Sequence, residues 1–174
     1  IKTDESTGQR LKDAVFGLYN TQNQKMAELT TNTIGEAVYS VLPAGTYTLK
    51  EQAAPEMYIL SDAAHSFTIT EQGQTVEKTS ADRKGFATLE ITKTGEGSNA
   101  EKLAGVVFEI TRKSTGEKVS TVTTDSNGKA SVVLPLGKYD LKETKAADGY
   151  ELPEQAVEFE LTENGATVAR TVEN

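Results

Sequence analysis

One run of residues occurs twice in this chain of 174 residues. Leu42, Pro43, Gly45, Tyr47, Leu49, Lys50 and Glu51 recur as Leu134, Pro135, Gly137, Tyr139, Leu141, Lys142 and Glu143, each 92 positions further on (42 to 134). The register holds downstream, where Tyr58, Phe67, Gly73 and Val76 match Tyr150, Phe159, Gly165 and Val168. Upstream it slips by single residues: Gly35 matches Gly128, Phe16 matches Phe108 and Lys2 matches Lys93, as one-residue loop changes produce. The expected organisation is therefore two homologous domains, residues 1–84 and 85–174. The junction from Asp82 to Phe86 is too short for a free tether, so the domains are expected to stack end to end as a rod.

Within each repeat, short runs rich in Val, Ile, Thr, Tyr and Phe alternate between Gly, Asn and Asp turns. In the second they cover residues 105–111, 118–124, 130–134, 138–143 and 157–161. This predicts an all-β chain of antiparallel sandwiches with little helix. Ser126-Asn127-Gly128 and Glu163-Asn164-Gly165 are read as hairpin turns, with Asn-Gly supplying positive φ.

Composition removes most alternatives. The net charge is −8, with both halves acidic, which argues against nucleic acid or an anionic membrane as the partner. The longest apolar stretch, residues 132–136, is far shorter than the roughly 20 residues of a membrane-spanning helix. With no Cys and one His, disulfides, thiol nucleophiles, zinc fingers and imidazole triads have almost no candidates, and no metal or cofactor is expected. His65 has no second imidazole to join it and reads as an ordinary position before a strand. Asp125 to Gly128 faintly resembles a calcium loop, but Leu136 stands where a bidentate Glu is required, so the segment is a turn. Residues 95–98 lack the Gly-Lys-Ser/Thr of a phosphate loop and read as a flexible connection.

The informative anomaly lies in strand phase, because side chains two apart on a strand share a face. Leu89, Ile91 and Lys93 are in phase, so a strand that buries the two aliphatics carries an amine inward after them. Tyr139, Leu141 and Glu143 carry a carboxylate inward in the same way. Val168, Val172 and Asn174 form a third row, with Arg170 among them suggesting a bulge or an exposed edge. The first repeat has the same anomaly in Lys2, in Glu51 after Tyr47 and Leu49, and in Asp82 opposite Asn174. An unpaired buried charge is costly, which leaves three explanations: the strands end and these groups reach water, a salt bridge is buried, or the groups react covalently.

The arrangement resembles the B-type repeat domains of Gram-positive collagen adhesins and pilins. The matching marks in the second repeat are Lys93, Gly105 to Phe108, Gly137 to Glu143, Ala146 to Tyr150 and Asn174. In the first they are Lys2, Ala14 to Phe16, Gly45 to Glu51, Ala54 to Tyr58 and Asp82, with Met57 in the place of the usual Gly. The resemblance implies two tandem immunoglobulin-like (prealbumin-like) β-sandwiches. It also implies spontaneous intramolecular isopeptide bonds, Lys2 with Asp82 assisted by Glu51, and Lys93 with Asn174 assisted by Glu143. Burial favours the uncharged forms of amine and carboxylic acid, so the amine becomes nucleophilic while the acid polarises the acyl group. Holding such groups in contact is equivalent to roughly 10⁵ M or more of effective concentration. The event occurs once per domain, so the chain is not expected to be an enzyme.

The function so implied is a stalk or pilin segment on the bacterial surface, extracellular and anchored to the cell wall through regions outside this sequence. Its partners would be neighbouring domains of the same surface protein or pilus. The rival is an adhesive module that grips a host matrix protein or glycan through its loops. Such sites favour clustered aromatics, and this chain has no Trp and only 6% aromatic residues.

Overall fold

In the computed structural model, residues 1–97 and 100–174 are described. The chain divides into two compact units, Ile1–Lys84 and Gly85–Asn174. Ser98, in the connection at residues 95–98, lies outside the described residues.

Unit 1 contains β1 (Lys2–Asp4), β2 (Val15–Asn20), β3 (Lys25–Thr30), β4 (Gly45–Ala53), β5 (Ala64–Ile69) and β6 (Ser80–Asp82). The four longer strands form an antiparallel sheet in the order β3-β2-β4-β5, and β1 pairs with β6 in parallel. Alternation on this sheet buries Leu18, Tyr47 and Ile69 together. Unit 2 contains β7 (Phe86–Thr94), β8 (Val107–Arg112), β9 (Lys118–Thr123), β10 (Lys129–Pro135), β11 (Gly137–Lys145), β12 (Val157–Leu161) and β13 (Thr167–Glu173). One sheet runs β12-β11-β8-β9; the other runs β10-β7-β13, with β7 antiparallel to β10 and parallel to β13. Its core is Leu89 and Ile91 from the smaller sheet against Phe108, Ile110, Tyr139, Leu141, Phe159 and Leu161 from the larger, all buried.

Both Asn-Gly turns differ from the hairpin expectation. The turn after β9 leads into β10, and the turn after β12 leads into β13, so each crosses from one sheet to the other. Only Gly128 and Gly165 adopt positive φ, 68° and 79°; Asn127 and Asn164 do not, and a two-residue hairpin of the type expected needs both. Asp125 holds the first turn instead, its Oδ1 accepting from the backbone N–H of Asn127 (2.8 Å) and Lys129 (2.9 Å). His65 lies within β5 and not before it, half-buried. β13 pairs with β7 without a register shift, so Arg170 reflects an edge strand and no bulge.

The repeats also differ from each other. Residues 129–135 form β10, whereas their counterparts at 37–43 form no strand. The one-residue slip between the repeats falls in this segment, where Val41 takes φ 66° and is 95% exposed.

Candidate functional site

The parallel pairing of each unit's first and last strands assembles the site. Lys2 stands opposite Ser80, and Asp82 lies two residues further along the same face of β6. Lys93 stands opposite Val172, and Asn174 lies two residues beyond it. The opposite sheet supplies Glu51 from β4 and Glu143 from β11, each in phase with a buried tyrosine, Tyr47 and Tyr139. Both lysines are 0% exposed, and Glu51, Asp82 and Glu143 are buried with them. The strands therefore do not end in water at these residues.

In unit 1 the three groups converge. Lys2 Nζ meets Glu51 Oε1 at 2.8 Å, donates to Asp82 Oδ1 and donates to Ser80 Oγ at 3.2 Å. The Phe16 ring lies 5.4 Å from the amine. Glu51 is oriented by the Ser61 backbone N–H, which donates to Oε2 at 3.0 Å. Burial pushes the Asp82 carboxyl up to about 6; the neighbouring Glu51 adds to this, and the contact with Lys2 opposes it.

In unit 2 the structure brings Lys93 Nζ within 3.1 Å of Glu143 Oε2. Asn174 follows the same register but makes no hydrogen bond to either: its Nδ2 donates to the Glu151 carbonyl at 3.1 Å, and its Oδ1 is buried without a partner. Lys93 Nζ and both Glu143 oxygens also lack hydrogen bonds. Two sequence differences account for the contrast. Pro153 occupies the place of Ser61, 92 positions on, and has no N–H to offer Glu143. Asn174 is neutral where Asp82 can form an ion pair.

Each buried lysine is also clamped through its backbone. Lys2 N–H donates to the Gly35 carbonyl (2.8 Å) and its own carbonyl accepts from Leu11 (3.0 Å); Lys93 does the same with Gly128 (2.8 Å) and Leu103 (3.1 Å). Gly35 and Gly128 sit so close that a Cβ would lie 2.8 Å and 2.6 Å from the lysine carbonyl oxygens. A buried amine, an acid and an acyl group fixed in this way can condense to an amide.

The model of the family described as SpaA, prealbumin-like fold domain, matches residues 1–84 and again residues 87–174. The chain belongs to this SpaA family. Its two SpaA units are B-type repeat domains of the kind found in Gram-positive surface proteins and pilins. The trypsin-resistant surface T6 protein of Streptococcus pyogenes serotype M6 is 31% identical over 129 residues, 72% of this chain and 24% of that protein. The solved Bacillus anthracis TIE protein is 34% identical, with a TM-score of 0.66 over 99% of this chain and 32% of that one. The C-terminal fragment of the pilus adhesin SpaC from Lactobacillus rhamnosus GG shares the fold at 19% identity, with a TM-score of 0.51 over 99% of this chain and 94% of that fragment. The chain thus spans a third or less of the first two.

Sequence reasoning missed several residues of the SpaA units that build the site. Gly35 and Gly128 stand out in the sequence as a repeat pair, but nothing in it reports their close approach to the lysines. Ser80 carried the signal of being a polar residue at an inward position two before Asp82. Ser61 acts through its backbone, which no side-chain pattern reports.

Proposed function

We propose that each unit locks itself with an amide between its first and last strands, and that the chain is a structural stalk segment of a bacterial surface adhesin or pilin. The observation that carries this reading is the trio in unit 1: an amine with no exposure, in contact with two buried carboxyl groups at once. As permanent charges in an apolar interior these groups are costly; as reactants they are already in place.

In unit 2 the Lys93 amine attacks Cγ of Asn174, the new C–N bond forms, and the C–N bond of the carboxamide breaks. Glu143 takes a proton from the attacking nitrogen and delivers it to the departing one, so ammonia leaves. In unit 1 Lys2 attacks Cγ of Asp82, Glu51 serves the same transfer, and water leaves. Each bond forms once.

Closing a loop of about 80 residues restricts the unfolded chain by roughly 4–5 kcal/mol on the loop-entropy model. An amide, unlike a disulfide, is indifferent to reductants. Resistance to proteases fits a relative whose name records resistance to trypsin and a surface location. The same reading sets this chain outside the cell, with neighbouring domains or pilus subunits as its partners and the cell wall as its anchor. Intact-mass spectrometry tests it: loss of one water plus one ammonia from the calculated mass is expected, and an unchanged mass removes both links.

A further inference from the structure

We propose that Ser80 is a positioning residue of the unit 1 site, its hydroxyl holding the Lys2 amine so that the nitrogen lone pair is left facing Asp82. This rests on the ligation reading above and adds a fourth group that the lysine, acid and acyl trio does not include.

Ser80 is the direct register partner of Lys2 across the parallel pair, so their side chains leave the same face side by side. Its own N–H is fixed by the Ile1 carbonyl at 2.9 Å, and its side chain is buried. The Lys2 amine donates to Asp82 Oδ1 and to Ser80 Oγ, and Glu51 Oε1 lies in ion-pair contact at 2.8 Å. When the proton on the Asp82 side passes to that carboxylate, one transfer yields both the neutral amine and the carboxylic acid. One remaining N–H stays on Ser80, with Glu51 Oε1 2.8 Å from the nitrogen, and the vacated position, now a lone pair, faces Asp82. The amine then attacks Cγ, the C–O bond to the hydroxyl breaks, and the oxygen leaves as water with a proton passed on by Glu51. Without Ser80 the amine is held at one point fewer and can rotate its lone pair away.

Unit 2 supplies the contrast. There Val172 occupies the place of Ser80, and Lys93 Nζ makes no hydrogen bond. The acyl group in unit 1 is an acid, which reacts only in its protonated form, so the fraction of time in which both partners are ready is smaller. Tighter aim of the amine compensates for it.

The test is the time course of ligation in the full chain made by cell-free synthesis, quenched in acid at intervals, with the cross-linked peptides of each unit counted by mass spectrometry. Valine at position 80 is sterically credible because unit 2 holds a valine beside its own buried lysine. Ser80→Val and Ser80→Ala are expected to slow the unit 1 link about tenfold, the loss of one hydrogen bond to the reacting amine. The unit 2 link is expected to keep its rate, and Ser80→Thr, which restores a hydroxyl, to recover most of the unit 1 rate. If wild-type unit 1 loses water but Ser80→Val and Ser80→Ala match its rate, the role of Ser80 is overturned and the ligation reading stands. If wild-type unit 1 never loses water, both fall.

Discussion

Glu143 is buried on the inward face that strand phase predicts for it, and its removal gives the simplest test of the proposed chemistry. Glu143→Ala is expected to abolish ammonia loss from unit 2 while unit 1 still loses water, read by peptide mass spectrometry on one sample. Lys93, Glu143 and their counterparts were legible because inward charge on an apolar strand face is rare and here occurs twice. Ser80 was not, since one buried serine beside strand residues is unremarkable until a lysine is seen opposite. Asp82 adds a pH signature. Its carboxyl is raised to about 6 from 3.8, so before ligation it favours the fold below the lower value, and that contribution is lost as the pH rises through about 6. The reactive pair in unit 1, neutral Lys2 with protonated Asp82, carries the same number of protons as the ion pair it forms from, so the unit 1 rate is expected to rise as the pH passes about 6 and then level off, whereas unit 2, with an amide to attack, lacks that step; paired rate–pH profiles check this. Asp4 behaves oppositely. The Tyr58 hydroxyl donates to Asp4 Oδ2 at 2.7 Å, and with the Thr7 and Ser6 amides it holds the carboxyl at about 2. This contribution is present above the ordinary carboxylate range and lost as the pH falls towards 2, so Tyr58→Phe is expected to raise the Asp4 titration midpoint seen by NMR.

Among the elements, the strands were legible and their partners were not. Apolar alternation located β8 to β12 to within two residues at each end, because inward positions must be apolar whichever strand lies alongside. The Asn-Gly turns were misassigned because local turn chemistry is blind to which sheet the next strand joins. Met57 shows the reverse, a local fault that tertiary structure overrides. It takes φ 77° where its counterpart Gly149 takes 87°, a conformation costly for any residue with a Cβ. Met57→Gly is expected to stabilise unit 1 by about 0.5–1 kcal/mol, the strain relieved less the entropy glycine brings, measured by local hydrogen exchange. Gly35→Ala and Gly128→Ala should each cost about 1–3 kcal/mol, since φ is 69° and 68° and the added methyl meets the lysine carbonyl. Chemical denaturation of the variants would show it, and a cost near zero would mean the clamp on lysine is loose.

For the whole molecule, the proposed amides make the route of tension a matter of covalent topology. Lys93 lies near the start of unit 2 and Asn174 at its end, so pulling on the termini would load the link while the residues between them stay folded. In single-molecule stretching, Lys93→Arg, which cannot ligate, should release roughly 270 Å of extra chain when unit 2 opens, a length absent from the linked protein.

The side-by-side, same-direction arrangement of β7 and β13 has a mechanical meaning of its own. A force drawn from the front of one and the back of the other slides them lengthwise. The backbone contacts along the pair must then give way together, as in a lap joint, and not one after another, as in a zipper. Even a copy of the domain that never formed its amide would yield abruptly, at a force set by the length of the overlap.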